Sequence, residues 1–308
     1  MENNEQNNTG LLRKAVLYGI AGSFFFAFNF VLLRSMNLGG GYWLYSGVLR
    51  YLFTLPLMLP LLLRGGRLAP VFASIRRRPW GWLIWSTVGF GLFYLPLTAA
   101  TVYAEGWFTC ATWQLTIVCG MLLTPLFGKP VPLKNLAFAG VILLGVGVMQ
   151  IPKLDTLGSE GILTALVLII VGAFSYPLGN RKMIEVCAGE LDTQQRVFGM
   201  TLMSLPFWAV AGGVAWLQVG APSAGQLQQS FLVALFAGVI ATILFFHATD
   251  LVRGNQKHLA AVEVTQSGEV IFTLLLGYLL LGDALPEPLS FAGIGLIILG
   301  MTLNSLAG

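Results

Sequence analysis

The chain has 308 residues, of which 56% are hydrophobic and only 10% are charged. A soluble globular domain carries about 25% charged residues, so this sequence cannot cover a water-facing surface. Its long apolar runs do not alternate polar with apolar residues, which favours α-helices over a β-barrel. The composition therefore argues against a soluble enzyme and predicts an all-α polytopic membrane protein.

Ten apolar runs are long enough to cross a bilayer, which takes roughly 20 residues of helix. Before them, the polar start MENNEQNNTG indicates a disordered cytoplasmic tail over residues 1–13. The runs, called span 1 to span 10, lie at residues 14–35, 42–63, 80–103, 107–127, 133–151, 161–180, 194–217, 228–249, 259–281 and 288–306. The connections between them are short and leave no room for a soluble catalytic domain.

The basic residues predict the orientation. With the amino terminus in the cytoplasm, the cytoplasmic segments hold Arg13, Lys14, Arg64, Arg67, Arg76, Arg77, Arg78, Lys129, Lys134, Arg181, Lys182, Arg196, Arg253 and Lys257. The outer side keeps only Arg34, Arg50 and Lys153. Because basic residues favour cytoplasmic loops, both termini are predicted to be cytoplasmic, in a bacterial-type plasma (inner) membrane. The basic run SIRRRPWGW is interpreted as an orientation signal, and no nucleic-acid partner is expected.

Enzyme signatures are absent from the sequence. There is no H-E-x-x-H motif, P-loop or G-x-S-x-G motif, and the three cysteines have neither metal nor redox spacing. We therefore expect no enzyme activity, no cofactor and no metal site. Any transport would have to be driven by an ion gradient or by the solute's own gradient.

The two halves of the chain resemble each other. The paired segments are FAGVILLGVGVM at Phe138 with FAGIGLIILGM at Phe291, GSFFF at Gly22 with GAFSY at Gly172, TWQLT at Thr112 with VTQSG at Val264, and Arg50 with Arg196, each ten residues before a proline. Since five spans is an odd number, the second half enters the membrane from the opposite side. The sequence predicts two inverted five-helix repeats, residues 14–153 and 154–308, an arrangement typical of secondary transporters.

Four segments also carry a family resemblance: FFFAFNFVLLRSM in span 1, GWFTCATWQLTIVCGMLLTPLF in span 4, FSYPLGNRKM in span 6 and LAAVEVTQSGEVIFTLLLGYLLLG in span 9. They resemble the drug/metabolite transporter superfamily in its ten-span, two-repeat form, closest to the multidrug resistance efflux transporter family. The resemblance implies a central cavity and export of organic solutes. The related four-span pumps use one glutamate near the start of their first span for both proton and drug. Span 1 has no acid here, so an acidic role would have to lie elsewhere.

Span 9 carries the strongest candidate chemistry. Glu263, Gln266 and Glu269 fall on an arc of about 120°, and Glu269 would lie near the middle of a core about 30 Å thick. A carboxylate in hydrocarbon is costly and tends to be functional. We expect these residues to line a cavity and to bind protons or cations, and the sequence leaves open which of the two acids titrates.

Polar and aromatic residues of four other spans are candidates for the same cavity. They are Trp113 and Gln114 in span 4, Asn29 in span 1, Tyr176 and Asn180 in span 6, and Tyr94 in span 3. The face of Trp113 could hold a lipophilic cation, and Pro177 could break span 6 at a binding site. The structural alternatives are a packed tryptophan beside a satisfied glutamine and a plain kink at Pro177.

Together these features predict a secondary transporter that exports small organic solutes, favouring lipophilic or cationic drugs and metabolites, by proton exchange through alternating access. Its expected partners are a small-molecule substrate, protons and the lipid bilayer. Two complete halves make a monomer sufficient, and a homodimer stays open. The alternatives are an uncoupled exporter or facilitator of amino acids or nucleobases, a non-transporting membrane scaffold or sensor, and a lipid-carrier flippase with a basic head-group site at Arg50 or Arg196.

Overall fold

The computed structural model describes residues 2–252 and 255–307, so Arg253, one of the predicted cytoplasmic cations, lies outside the described residues. The described part of the chain is helical and contains no strand. Its α-helices are α1 (Glu2–Leu38), α2 (Trp43–Leu63), α3 (Leu68–Arg77), α4 (Pro79–Ser86), α5 (Leu92–Tyr103), α6 (Gly106–Trp113), α7 (Leu115–Leu122), α8 (Leu133–Gln150), α9 (Lys153–Cys187), α10 (Thr193–Val219), α11 (Ala224–Val233), α12 (Ala241–Val252), α13 (Gln256–Val264), α14 (Gly268–Leu276) and α15 (Pro288–Ala307).

Nine helical stretches in the described residues are long and apolar enough to cross a membrane. They match spans 1–3 and 5–10 and run over Gly10–Leu38, Trp43–Gly66, Pro79–Tyr103, Leu133–Gln150, Glu160–Cys187, Thr193–Val219, Ala224–Val252, Lys257–Leu281 and Pro288–Ala307. The predicted all-α polytopic membrane fold is therefore confirmed. Helix α1 also takes in residues 2–13, ahead of its membrane stretch.

Span 4 is two short helices, where the sequence predicted one continuous helix. Helix α6 ends at Trp113 and α7 begins at Leu115. The side-chain amide of Gln114 donates to the Cys110 carbonyl at 3.3 Å, while its backbone N–H bonds to Ala111 at 3.2 Å. The turn is therefore tightened at Gln114. Because neither piece has the length of a span, the count of ten spans stays a prediction.

Spans 3, 8 and 9 also depart from regular α-helix. Spans 3 and 8 each contain a π-helical turn, Thr87–Gly91 and Ala234–Ile240. Span 9 tightens into a 3₁₀ turn at Thr265–Ser267, where the Thr265 and Ser267 hydroxyls donate to carbonyls three residues earlier. Ser23 of span 1 donates to the Thr265 carbonyl at 2.6 Å. Hydroxyl bonds of this kind compete with the backbone ladder and bend helices.

These irregularities fall at matching places in the two halves. Spans 3 and 8 are third in their halves and both carry π turns, and spans 4 and 9 are fourth and both tighten at a glutamine, Gln114 and Gln266. The matched glycines also make matched contacts. A Cβ on Gly22 would lie 3.5 Å from the Ala241 carbonyl of span 8, and one on Gly172 would lie 2.8 Å from the Phe93 carbonyl of span 3. These features support the predicted inverted repeat, which stays a prediction.

Loops at one end of the bundle, here called the basic end, join the two halves through ion pairs. Arg67 bonds Asp192 at 2.7 Å, and Arg77 pairs with Glu190. Burial disfavours the charged form of Asp192, but hydrogen bonds from Arg67 and from the backbone N–H of Gln195 outweigh it and hold the pKa of that carboxyl below its ordinary value. Asp192 also caps the start of α10.

The last spans of the two halves, α8 and α15, pack against each other in opposite directions. Ser290 donates to the Met149 carbonyl at 3.0 Å at one end, and Asn135 donates to the Asn304 carbonyl at 3.2 Å at the other. Between them, a Cβ on Gly145 would lie 2.6 Å from the Gly293 carbonyl oxygen. Two helix backbones approach this closely only where side chains are small.

Replacing Gly145 with alanine should therefore destabilise the protein. The new methyl group would meet backbone atoms of α15, and overpacking of this kind costs about 1–3 kcal/mol. Gly147 of the same helix has no heavy atom within 4 Å of its Cβ position, so Gly147→Ala is the matched control. Thermal unfolding in detergent should show a lower midpoint for Gly145→Ala and an unchanged or higher one for Gly147→Ala. Equal midpoints would contradict the close packing of these two helices.

Candidate functional site

A cavity of about 450 Å³ lies in the middle of the bundle. Its lining comes from spans 1–4 and 6–9, while spans 5 and 10 contribute none of the described lining residues. The polar and charged lining residues are Asn29, Arg50, Tyr51, Thr54, Gln114, Thr116, Tyr176, Asn180, Thr193, Arg196, Thr201, Thr242, Gln266 and Glu269. The bundle thus gathers polar groups from seven spans around one central space, and span 3 adds only apolar residues.

Most of the predicted site residues line this cavity. They are Glu269, Gln266, Trp113, Gln114, Asn29, Tyr176 and Asn180. The tightened turns help to put them there, because Gln114 and Gln266 are the residues at which spans 4 and 9 narrow. Their roles in binding a substrate or a proton remain predictions.

Two predicted residues do not line the cavity. Glu263 is exposed and lies about 9 Å nearer the start of span 9 than Glu269, at 1.5 Å per residue. Tyr94 is fully buried behind the wall, where its hydroxyl donates to Asn29 at 2.7 Å. Helical periodicity places residues around one helix but does not say how deep a cavity reaches, so it could not separate these two from the lining set.

Two arginines that were not among the predicted site residues line the cavity, Arg50 and Arg196. The charge pattern assigned them to opposite sides of the membrane, and only the flippase alternative gave them a binding role. Their equivalent positions in the two halves, each ten residues before a proline, were the signal that could have found them. Arg50, Arg196 and Glu269 are the charged residues of the described lining.

Neutral groups hold Arg50 in place. Its Nη1 donates to the Asn29 side-chain oxygen, which also accepts from Tyr94. The guanidinium carbon lies 4.2 Å from the centre of the Tyr94 ring and 5.9 Å from that of Tyr51. Tyr51 is itself stacked on Trp208 at 4.8 Å. Among the described residues no carboxylate lies within 4.0 Å of this guanidinium, so its positive charge is fixed but not paired.

Arg196 and Glu269 are likewise not in ion pairs with described residues. The Nε of Arg196 is buried and has no hydrogen-bond partner in the described part of the chain. The lining therefore carries two positive charges and one carboxyl, and the cavity is net positive whether Glu269 is ionised or protonated. Desolvated charges without partners are costly, and a ligand that pairs with them would offset that cost.

One wall of the cavity is aromatic. The ring centres of Phe93 and Trp113 lie 5.0 Å apart, those of Phe93 and Tyr176 4.8 Å, and those of Trp113 and Tyr176 5.7 Å. Such edge and tilted contacts stabilise a rigid cluster. A cavity with an aromatic wall and a few polar groups suits an organic solute that has an apolar body.

The paired segments of the two halves meet across the cavity. Counting along them, the equivalent lining residues are Phe26 and Tyr176, Phe30 and Asn180, Arg50 and Arg196, Gln114 and Gln266, and Ile117 and Glu269. The carboxyl is thus present in the second half only, because the first half has Ile117 at that position.

The cavity reaches toward the basic end. There it extends to Thr193, the first residue of α10, and to Phe246 at the middle of α12. Hydrogen bonds close the opposite end, where the Gln226 side chain accepts from the backbone N–H of Tyr42 at 3.2 Å and donates to its carbonyl at 2.7 Å. The described residues contain no group of three His, Cys, Asp or Glu side chains that could hold a metal ion.

A bundle of membrane-length helices around one polar cavity is the architecture of a small-molecule transporter. The model of the family described as "EmrE: Putative multidrug resistance efflux transporter" matches residues 13–308. The chain belongs to this family, and the resemblance inferred from spans 1, 4, 6 and 9 is confirmed. It is therefore an integral membrane protein of a transporter family, working on small molecules in a lipid bilayer.

Two bacterial proteins and a solved structure are similar to this chain over most of its length. It is 46% identical to "Uncharacterized protein YjlA" of Bacillus subtilis (strain 168) over 307 residues, 96% of this chain and 95% of that one. It is 43% identical to "Uncharacterized 42.1 kDa protein in intracellular alkaline protease 3'region" of Shouchella clausii over 270 residues, 84% of this chain and 71% of that one. A solved structure described as "Crystal structure of protein" shares the fold, with a TM-score of 0.62, 13% identity and coverage of 95% and 96% of the two chains.

The shape of the cavity predicts how its two ends react with a membrane-impermeant maleimide. Cys110, Cys119 and Cys187 are buried, so background labelling should be low. A cysteine at Thr193, at the open basic end, should be labelled in everted vesicles, which expose the predicted cytoplasmic face. Ser230→Cys is the control at the closed end, because Ser230 is fully buried, and it should stay unlabelled without ligand. Labelling of Thr193→Cys only in intact cells would show that the predicted orientation is wrong.

Proposed function

We propose that this protein is a secondary transporter that exports small organic solutes by alternating access, with a proton bound at Glu269 coupled to transport. The observation that carries the proposal is that Glu269 is the carboxyl of the described cavity lining and lies at mid-span beside polar and aromatic groups. A carboxyl there can switch between its ionised and protonated forms, and each form interacts differently with a charged solute.

Alternating access is supported by the asymmetry of the cavity. It reaches the basic end and is closed at the other end by bonds such as those of Gln226. If the two halves are inverted repeats, exchanging their conformations would close the basic end and open the opposite one. With the predicted orientation, the state described here is open to the cytoplasm, the state in which an exporter loads its solute.

The alternatives make different demands on the cavity. A scaffold or sensor gains nothing from gathering charges and amides in the middle of a bilayer, where they are costly. An uncoupled facilitator would need the cavity but not the carboxyl. Exchange of a proton for a cationic solute, predicted from the sequence, remains a prediction, and Arg50 and Arg196 weigh against it because they would repel a cation.

The test is the proton taken up or released when a solute binds to the purified protein in detergent. The panel contains tetraphenylphosphonium as a cation and 1-naphthylacetate as an anion. Wild type should show a proton change with the solute that binds, and Glu269→Gln should abolish it while keeping the fold, because the amide is isosteric but cannot titrate. Glu263→Gln is the matched control, since Glu263 is an acid of the same span outside the cavity lining, and it should behave as wild type.

Binding without any proton change in wild type would overturn proton coupling and favour the uncoupled facilitator. Loss of the proton change in Glu263→Gln instead of Glu269→Gln would move the proton site out of the cavity. Transport into proteoliposomes with and without an imposed pH gradient then tests whether the coupling found in binding drives flux.

A further inference from the structure

We propose that the solute of this cavity is an amphipathic organic anion, whose acidic group binds Arg50 and Arg196 while its apolar body lies against the aromatic wall. The proposal rests on the transport function proposed above and adds the charge of the solute to it.

The first support is the charge of the lining. Arg50 and Arg196 face the same space as Glu269, and the described lining contributes no other charged side chain. Two cations against one carboxyl leave an excess of positive charge in a low-dielectric region, where a like charge is repelled and an opposite one attracted more strongly than in water. A solute with a negative group balances this excess, whereas a cation would add to it.

The second support is the way each arginine is held. Arg50 is fixed by the Asn29 oxygen and the Tyr94 ring, which are neutral partners that orient the guanidinium without neutralising it. Arg196 keeps a buried Nε without a partner among the described residues. A guanidinium has five N–H donors in a planar fork that matches the two oxygens of a carboxylate. Both side chains therefore retain donors for an acidic group.

The third support is the placement of the two arginines. They occupy equivalent positions in the two halves, so each would lie toward one end of the cavity in a two-fold arrangement. Arg196 belongs to the first turn of α10, next to Thr193 at the open end. An anion entering there meets Arg196 first and Arg50 deeper inside. If the halves exchange conformations, Arg50 would lie at the open end of the cavity on the other side of the membrane. The same two arginines would then bind the anion until it is released there.

The charges near Glu269 determine whether it takes up or releases a proton when a solute binds. The titratable or charged groups that lie near it on neighbouring spans are Arg50 and Tyr51 of span 2, Cys110 of span 4, Tyr176 of span 6 and Arg196 of span 7. A bound anion would repel the ionised form of Glu269, so the anion and the proton should favour each other's binding and cross together, and export of the anion would then be driven by its own gradient. Proton uptake is therefore expected with an anion, and proton release with a cation.

The experiment compares three probes that share one naphthalene ring and differ in charge: 1-naphthylacetate, 1-naphthylacetamide and 2-(1-naphthyl)ethylammonium. Binding to the purified full chain in detergent is measured by calorimetry. We expect the acetate to bind tightest and the ammonium weakest. Arg196→Gln should weaken acetate binding by about tenfold or more, the scale of a lost charge-assisted hydrogen bond, and leave acetamide binding nearly unchanged.

Three further variants make the test selective. Arg50→Gln should have the same effect as Arg196→Gln, and Arg196→Lys should restore part of the acetate affinity because it keeps the charge. Arg181→Gln is the matched control, since Arg181 is an arginine of α9, just after span 6, that donates to the Gly120 carbonyl outside the cavity lining, and it should bind acetate as wild type does. If Arg50→Gln fails to fold, Arg196→Gln still decides the matter because Arg196 holds no described partner in place.

Equal binding of acetate and acetamide to wild type, or unchanged acetate binding in Arg196→Gln, would overturn the anion proposal and leave the proton site at Glu269 standing. If Glu269→Gln leaves the proton change on acetate binding as in wild type, while the arginine variants bind acetate more weakly, the anion site is supported and proton coupling at Glu269 is overturned. Displacement of the acetate by short-chain phosphatidylglycerol would support the same anion chemistry and assign its source to a lipid head group.

Discussion

Backbone hydrogen bonding in hydrocarbon is the constraint on which the rest of this structure depends. A bilayer offers no water to satisfy a freed N–H or C=O group, so irregular backbone is tolerated only where it is buried in protein or lines a wet cavity. Four irregular segments away from the span ends each contribute a residue to the cavity: the π turns of spans 3 and 8 through Phe90 and Gly238, and the tightened turns of spans 4 and 9 through Gln114 and Gln266. The π turn Gly277–Leu281 at the end of span 9 contributes none.

The same constraint explains why polar side chains gather in one place. Spans 5 and 10 meet through a glycine contact and supply no described lining residue, whereas seven of the other eight spans turn polar groups inward. Residues at matching positions of the two paired sequence segments then line one space. The match is not complete, because Ile117 stands where the second half has Glu269. The described lining therefore carries one acid, which the second half supplies.

Charge in this cavity is arranged without ion pairs among the described residues. Asn29 and Tyr94 orient Arg50 but leave its charge uncancelled. A direct bond from Glu269 to either arginine would have neutralised two groups and removed both from chemistry with a solute. Keeping Glu269 apart from the two arginines costs stability, since each group is partly desolvated. The charges of all three groups then stay available to a ligand. We expect the balance of these three groups to set which solutes the protein accepts.

The sequence alone determined the class of protein, the positions of nine spans and seven of the residues that line the cavity. These follow from local properties: the length of an apolar run and the cost of a carboxylate, amide or tryptophan in the middle of it. Only the tertiary structure decided that Gln114 ends a helix, that Glu269 and not Glu263 borders the cavity, that Tyr94 stands behind Asn29, and that Arg50 and Arg196 face inward. Hydropathy gives the length of a span but not its rotation or the depth of the space beside it, because packing against neighbouring helices sets both.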